Sequence, residues 1–251
     1  MCGISGILSF DAKYNREDIL KMNEILSHRG PDDEGTYFDD FIGLGHRRLS
    51  IIDLSKAGHQ PMSDESKRYW IVFNGEVYNY LEIREELVEK GYVFHSNSDT
   101  EVIINSYIEW GVECLQKFNG MWSFSLWDNE KKELFCARDR FGIKPFYYYH
   151  KDGYFVFASE IKAILEADSV PREPNYERIL QYLGNYPLLE NQSTFFKSIF
   201  QLPGSHFALI NAKGMSIQRY WDIDKKNIEG VDAKERFLEL FKDSIRLRLR
   251  S

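Results

Sequence analysis

The residue at position 2 is a cysteine that directly follows Met1. Removal of Met1 would place a thiol and a free α-amine on one residue, and an amine with a pKa of about 8 can accept the proton of a thiol with a pKa of about 8.5. Taken alone, Cys2 is also compatible with a frayed terminus. The alternation of apolar and small residues over positions 3–10 predicts a strand, however, which would hold the terminus in a sheet. The sequence therefore predicts a nucleophilic cysteine with its own amine as the base.

A cysteine that attacks an amide needs hydrogen-bond donors for the oxyanion. Asn74-Gly75 offers a side-chain amide and a backbone N–H that could point at one position. The same dipeptide is typical of a tight turn, here after a short buried strand over 70–73. Both interpretations remain open from the sequence.

Two charged residues could hold an amino acid substrate. Arg48, in a β-rich segment over 41–53, could bind a carboxylate through its two-pronged guanidinium. Asp99, at the start of a helix predicted over 100–110, could bind an ammonium group. The structural alternatives are a surface arginine and a helix N-cap at Ser98 or Asp99. His28 and His46 have no neighbour that would suggest a triad, and we interpret them as structural.

The composition restricts the class of protein. A chain of 251 residues with 43% hydrophobic residues can bury a sizeable core, and a net charge of −7 argues against nonspecific binding to nucleic acid or membranes. No apolar run approaches the length of a membrane span, and no signal peptide opens the chain. Three widely spaced cysteines favour a reducing cytoplasm and have no zinc-site spacing, so we expect no metal site.

The periodicity predicts helices that alternate with antiparallel hairpins. Helices are expected over 16–26, 81–90, 100–110, 160–166 and 175–183, and hairpins over 121–137, 146–158 and 206–220. A last helix should begin near Asp232, with Phe237, Leu238, Phe241, Ile245 and Leu249 in one apolar stripe. Connections too short for parallel crossovers predict an α+β fold with antiparallel sheets.

Eight short segments match one family in order along nearly the whole chain. They are Met-Cys-Gly-Ile at 1–4, His-Arg-Gly-Pro-Asp at 28–32, Arg-Leu-Ser-Ile-Ile-Asp at 48–53, Asn-Gly-Glu-Val-Tyr-Asn at 74–79, Ser-Asp-Thr-Glu at 98–101, Gly-Met-Trp at 120–122, Arg-Asp-Arg-Phe-Gly-Ile-Lys-Pro at 138–145 and Ala-Ser-Glu at 158–160. In these segments the chain resembles the N-terminal glutaminase domain of glutamine-hydrolysing asparagine synthetases. That domain is a class II glutamine amidotransferase of the N-terminal nucleophile hydrolase superfamily.

The resemblance implies a fold and a role for each site residue. The fold would be a four-layer αββα sandwich of two stacked antiparallel sheets covered by helices. Cys2 would be the nucleophile, and Asn74 and Gly75 would form the oxyanion hole. The binding residues for L-glutamine would be Arg48 for the α-carboxylate and Asp99 for the α-ammonium, together with Leu49, Ser50, Ile51, Ile52, Asn74, Gly75 and Glu76.

The resemblance also implies a larger protein. Residues 2–211 would be the glutaminase domain, and residues 212–251 a linker and the start of a synthetase domain. ATP and Mg²⁺ would bind in that second domain, because its Ser-Gly-Gly-x-Asp-Ser loop does not occur here. The partners would be L-glutamine, the chain's own C-terminal synthetase domain and a second copy in a homodimer, and the ammonia would amidate aspartate.

Three alternatives remain open from the sequence. The same glutaminase could serve another acceptor, such as a sugar carboxylate or a peptide. The domain could retain the fold and only regulate. It could also be a peptidase or acylase of the same superfamily, although Arg48 with Asp99 fits a free amino acid better than a peptide.

Overall fold

The computed structural model describes residues 1–11, 14–184, 192–223 and 233–250. Seven α-helices lie in these residues: α1 (Arg16–Ile25), α2 (Tyr80–Glu89), α3 (Asp99–Trp110), α4 (Cys114–Lys117), α5 (Ile161–Ile164), α6 (Tyr176–Leu183) and α7 (Ala233–Arg248). Twelve strands lie in them: β1 (Gly3–Ser9), β2 (Asp33–Phe38), β3 (Ile42–Arg48), β4 (Met62–Ser63), β5 (Tyr69–Val77), β6 (Gly120–Asp128), β7 (Glu133–Arg138), β8 (Tyr147–Lys151), β9 (Tyr154–Ala158), β10 (Ile199–Gln201), β11 (His206–Asn211) and β12 (Gly214–Arg219).

The strands form two six-stranded sheets. The first sheet has the order β10-β8-β9-β1-β3-β2 and the second the order β12-β11-β7-β6-β5-β4. Every strand pair in the two sheets is antiparallel. The predicted α+β class is therefore confirmed.

The two sheets stack through an apolar layer between them. Because side chains alternate along a strand, β1 directs Ile4 and Leu8 into this layer, where Val72 of β5 and Leu134 of β7 meet them. On the outer face of the first sheet, Ile7 packs with residues of α1 and α5. Helices α2, α3 and α4 cover the outer face of the second sheet. The four-layer αββα architecture is confirmed.

Side-chain caps fix the starts of two helices beside the N-terminal strand and the cavity. The Asn15 side chain accepts a hydrogen bond from the Glu17 N–H at 3.1 Å, and the Ser98 hydroxyl accepts one from the Thr100 N–H at 3.1 Å. Ser98, rather than Asp99, is thus the N-cap of α3. The Asp99 carboxylate therefore does not cap α3.

Asn74-Gly75 is not a turn. Strand β5 runs through both residues and pairs Asn74 with Ser123 and Gly75 with Trp122 of β6. A Cβ atom at Gly75 would lie 2.6 Å from the Trp122 Cα and closer still to the Met121 carbonyl oxygen. The glycine therefore serves the close approach of two strands, and the prediction of a tight turn was wrong.

Three strands, β2, β4 and β10, were not predicted from the sequence. Strand β2 opens on two charged residues and a glycine, which are rare in strands, while β4 and β10 have only two and three residues. Strand β12, which belongs to the predicted hairpin over 206–220, pairs with β11 from His206↔Arg219 to Asn211↔Gly214 and forms the edge of the second sheet.

The last helix, α7, occurs where the apolar stripe predicts it, while Asp232 lies outside the described residues. Its stripe residues, Phe237, Leu238, Phe241, Ile245 and Leu249, are exposed. Just after the helix, Arg250 donates to the Tyr78 carbonyl at 3.1 Å and pairs with Glu82. In the parts of the chain that the structure describes, none of the helices combines the length and the apolar character needed to cross a membrane.

We expect Gly75→Ala to lower the free energy of unfolding by about 2–4 kcal/mol, because the added methyl group meets backbone atoms that cannot yield. Gly214→Ala is the matched control. Its Cβ meets nothing within 4 Å, and only the φ of +126° opposes it, so its cost should be about 1 kcal/mol. Urea denaturation of both variants measures the difference, and equal costs would contradict the close-approach explanation.

Candidate active site

One cavity lies between residues of both sheets, the loop that follows β3 and the start of α3. Nine of the ten residues that the sequence predicts for the site line it: Cys2, Arg48, Leu49, Ile51, Ile52, Asn74, Gly75, Glu76 and Asp99. The tenth, Ser50, is not among the lining residues, and its N–H donates to Asp32 Oδ2 at 2.8 Å. Residues that are 97 positions apart in the sequence thus surround one space.

Cys2 lies just before the first residue of β1 and is held there by contacts to both its backbone and its sulfur. Its Sγ lies 3.4 Å from the Leu49 nitrogen, which donates to it, and 3.6 Å from the Leu49 carbonyl oxygen. The Cys2 carbonyl accepts a hydrogen bond from Arg29 Nε at 2.9 Å. Burial raises the pKa of the thiol, against the lowering effects of the Leu49 N–H and of the nearby terminal amine. The thiol therefore needs a base to become nucleophilic.

The terminal amine has a lowered pKa. Burial is the largest cause, and the positive charges of Arg29 and Lys144 act in the same direction. In the described chain this amine belongs to Met1, which is 55% exposed. A lowered pKa favours the neutral form of this amine, which is the form that can accept a proton.

The Asn74 side chain presents an unused donor. The residue is 1% exposed, and its Nδ2 has no hydrogen-bond partner among the described residues. A buried donor without an acceptor costs about 1–3 kcal/mol. Because the amide lines the cavity beside Gly75, an oxygen atom of a ligand could satisfy it.

Arg48 is buried at the end of β3 and ties down the loop that follows. Its Nη1 donates to the Ser55 carbonyl at 2.9 Å, and its Nη2 donates to the carbonyls of Ile52 and Asp53. A Cβ atom at Gly58 would lie 2.7 Å from the Arg48 Cζ, so the glycine makes room for the guanidinium. The structural alternative of a surface arginine is wrong, since the residue is 6% exposed.

Asp99 and Glu76 bring negative charge into the cavity. Asp99 is 4% exposed, and its Oδ2 accepts a hydrogen bond from the Val77 N–H at 2.9 Å. Burial raises the pKa of Asp99 to about 7, and the charge of Glu76 adds to this effect. A bound cation would offset both causes, so the pair suits a substrate ammonium group.

Gln60 and Lys144 are polar lining residues that the sequence did not predict for the site. Gln60 accepts from the Phe73 N–H at 2.7 Å and donates to Thr100 Oγ1 at 3.2 Å, which joins β5 to α3 beside the cavity. Lys144 reaches the cavity from the segment 138–145, which carries part of the family resemblance but no predicted site residue. Among the residues described here, no group of three or more His, Cys, Asp and Glu could hold a metal ion.

Asp99→Asn should change how stability depends on pH. Because the folded pKa of about 7 lies above the ordinary 3.8, the carboxyl stabilises the fold fully only below pH 3.8 and loses that contribution as the pH rises through about 7. Asparagine does not ionise, so between about pH 4 and about pH 8 the variant should gain on the order of 2–4 kcal/mol relative to the unmodified protein.

Urea denaturation at the two pH values measures this change. Asp152→Asn is the control, because the Asp152 side chain is 88% exposed and should show no such gain. If Asp99→Asn gains nothing relative to the unmodified protein, the ionised Asp99 does not oppose folding.

Comparisons with known proteins agree with this architecture and with each other. A family model described as a glutamine amidotransferase domain matches residues 1–221. A putative glutamine-hydrolysing asparagine synthetase 2 of Methanocaldococcus jannaschii is 36% identical over 274 residues, which cover all of this chain and 53% of that protein. The glutamine-hydrolysing asparagine synthetase 3 of Bacillus subtilis is 35% identical over 251 residues, which cover 98% of this chain and 41% of that protein.

A solved structure shows the same fold at low sequence identity. The glutamine phosphoribosylpyrophosphate amidotransferase of B. subtilis superposes on 88% of this chain and on 50% of its own chain, with a TM-score of 0.65 and 18% identity. The present chain thus spans about half the length of the proteins it matches. It belongs to the family of glutamine amidotransferase domains found in asparagine-synthetase-like proteins.

Proposed function

We propose that this domain hydrolyses L-glutamine to glutamate and ammonia through a thioester on Cys2. The observation that carries the proposal is the cavity in which the Cys2 thiol, the unpartnered Asn74 amide and the charges of Arg48 and Asp99 face one space. A thiol nucleophile, an unused oxyanion donor and opposite charges for a zwitterion are the groups that this reaction requires.

Charge complementarity sets the orientation of glutamine in the cavity. The α-carboxylate would bind near the guanidinium of Arg48, and the α-ammonium would bind near the carboxylates of Asp99 and Glu76. Binding of the ammonium favours the ionised form of Asp99, whose pKa of about 7 in the empty site leaves it only partly charged at neutral pH. The side-chain amide of glutamine would then extend toward Cys2.

The reaction has two steps. Once Met1 is removed, the α-amine of Cys2 takes the thiol proton, and the thiolate forms a C–S bond to the amide carbon. The oxyanion accepts hydrogen bonds from Asn74 Nδ2 and the Gly75 N–H, each worth about 3–4 kcal/mol in such sites. The proton on the amine passes to the leaving nitrogen, the C–N bond breaks and ammonia departs. Water then attacks the thioester and gives a proton to the α-amine, the C–S bond breaks, the sulfur takes that proton from the amine, and glutamate leaves.

The whole protein would use this ammonia in an ATP-dependent amidation of aspartate, as the names of the relatives suggest. We further propose that residues after the last strand of the second sheet lead into a synthetase domain, where ATP and Mg²⁺ would bind, and that the protein acts in the cytoplasm. Incubating the full-length protein with glutamine, ATP and aspartate, or with a sugar carboxylate or peptide in its place, distinguishes the acceptors by the product formed.

Removal of Met1 should decide whether the domain is active. Protein that has lost Met1, as verified by intact mass, should release ammonia from glutamine, whereas folded protein that retains Met1 should not, since Cys2 then has no free α-amine. Cys2→Ala should also be inactive because it lacks the thiol. An assay of glutamate and ammonia measures all three, and turnover by Cys2→Ala or by the Met1-retaining protein would refute the mechanism.

Asn74→Ala should reduce kcat by roughly 10²–10³-fold and change KM little, because the amide acts on the oxyanion rather than on bound glutamine. Asn211→Ala is the control and should retain full activity. The Asn211 side chain donates a hydrogen bond to Glu133 and does not line the cavity. A loss of affinity at unchanged kcat would assign Asn74 to substrate binding instead.

A further inference from the structure

Lys144 lines the cavity without a task in the proposed reaction. It is 6% exposed and borders the same space as Cys2 and Glu76. No hydrogen bond or ion pair is found for its Nζ within the described residues. An ammonium group that lines the cavity without a protein partner is free to interact with an anion inside it.

The backbone of Lys144 is fixed from both sides by buried charged groups. Its N–H donates to Asp139 Oδ2 at 3.0 Å, and its carbonyl accepts from Arg138 Nε at 2.7 Å. The same Asp139 carboxylate accepts from the Trp122 N–H of β6 at 3.1 Å. Asp139 is fully buried and Arg138 is 8% exposed. The lysine backbone is therefore anchored to the second sheet.

The other cations near the sulfur are committed to partners. The guanidinium of Arg48 donates to the carbonyls of Ile52, Asp53 and Ser55. Arg29 donates to the Cys2 carbonyl at 2.9 Å and to Glu160 at 2.9 Å. The α-amine becomes positive only after it has taken a proton. Among the described residues that line the cavity, Lys144 is thus the side-chain cation without a partner of its own.

The charges around Lys144 agree with its position beside Cys2. Cys2 faces the terminal amine, Arg48 and Asp99. Lys144 faces Glu76 and Cys2, which favour its charged form, and Arg29, which opposes it, with Asp139 behind it. Burial lowers the pKa of Lys144, and Glu76 and Cys2 act against that lowering. An anion on the sulfur and a cation on Lys144 would stabilise each other.

We propose that Lys144 is the cation that stabilises the thiolate of Cys2, both when the thiol loses its proton for attack and when the sulfur leaves the thioester. The proposal rests on the glutaminase function proposed above and adds a residue to it. Lys144 acts on the charge of the sulfur rather than on the binding of glutamine. Its removal should therefore change the titration of the thiol and the rate of reaction but not the affinity for substrate.

The test is the pH dependence of the alkylation of Cys2 by iodoacetamide, in protein whose loss of Met1 has been verified by mass. Cys114 and Cys136 are fully buried, so the folded protein should be labelled at Cys2 alone, and Cys2→Ala should take no label. The variants are Lys144→Met, Lys144→Gln as a second neutral replacement, and Lys144→Arg, which keeps the charge. Lys151→Met removes an exposed lysine on the β8–β9 hairpin and is the matched control.

We expect the midpoint of the alkylation profile to rise by about one pH unit in the two neutral variants and to stay in place in Lys144→Arg and Lys151→Met. In the glutaminase assay at neutral pH, kcat should fall about tenfold in the neutral variants with KM unchanged. Circular dichroism confirms that each variant is folded before it is compared.

Other outcomes overturn the proposal. If a folded neutral variant keeps the wild-type midpoint while KM changes, Lys144 only balances the charge of Glu76. Because alkylation requires no turnover, the two proposals fail separately. A wild-type protein without glutaminase activity contradicts the proposed function, whereas an active wild-type protein whose Lys144 variants show no shift contradicts the role of Lys144 alone.

Discussion

The apolar layer between the two sheets is the contact on which the rest of the molecule depends. Cys2 directly precedes β1 of the first sheet, and Asn74 belongs to β5 of the second. The two residues meet only because the inner faces of the sheets pack together. His46 crosses this layer close to the cavity. Burial lowers its pKa to about 4, so the ring is neutral, and Nε2 donates to the Phe73 carbonyl at 3.0 Å. The backbone of β5 is thereby held one residue before Asn74.

The cavity contains polar groups that the folded chain leaves incompletely satisfied. The Asn74 amide has no acceptor among the described residues, the Asp99 carboxyl is buried beside Glu76, and Lys144 lines the same cavity. Each opposes folding when considered alone, whereas elsewhere buried polar groups such as Asp139 accept several hydrogen bonds. The Asn74 amide, the Asp99 carboxyl and the Lys144 side chain all line one cavity, where a ligand with complementary charges and oxygens would satisfy them.

Local patterns were sufficient where neighbouring residues decide the structure. The helix at 16–26 carries its own N-cap at Asn15, and the first strand of the hairpin over 121–137 alternates large apolar residues with serines in its sequence, so both were predicted correctly. Prediction failed where a distant segment decides. Gly75 is needed because β6 passes close to it, and β10 is a strand because β8 pairs with it from Ile199↔Tyr149 to Gln201↔Tyr147. In both cases the partner strand lies far away in the sequence.

The sequence by itself determined which chemical groups are available: the cysteine at position 2, the asparagine and glycine at 74 and 75, the arginine at 48 and the aspartate at 99. Together with the order of the eight segments, it was enough to predict the family and the sandwich fold. Only the tertiary structure decided that Ser98 caps α3 while Asp99 faces the cavity, and that Ser50 turns to Asp32. It also brought Gln60 and Lys144 to the cavity. Burial, pKa and proximity depend on the packing of two sheets whose contacting residues lie far apart in the chain, and no local pattern contains that information.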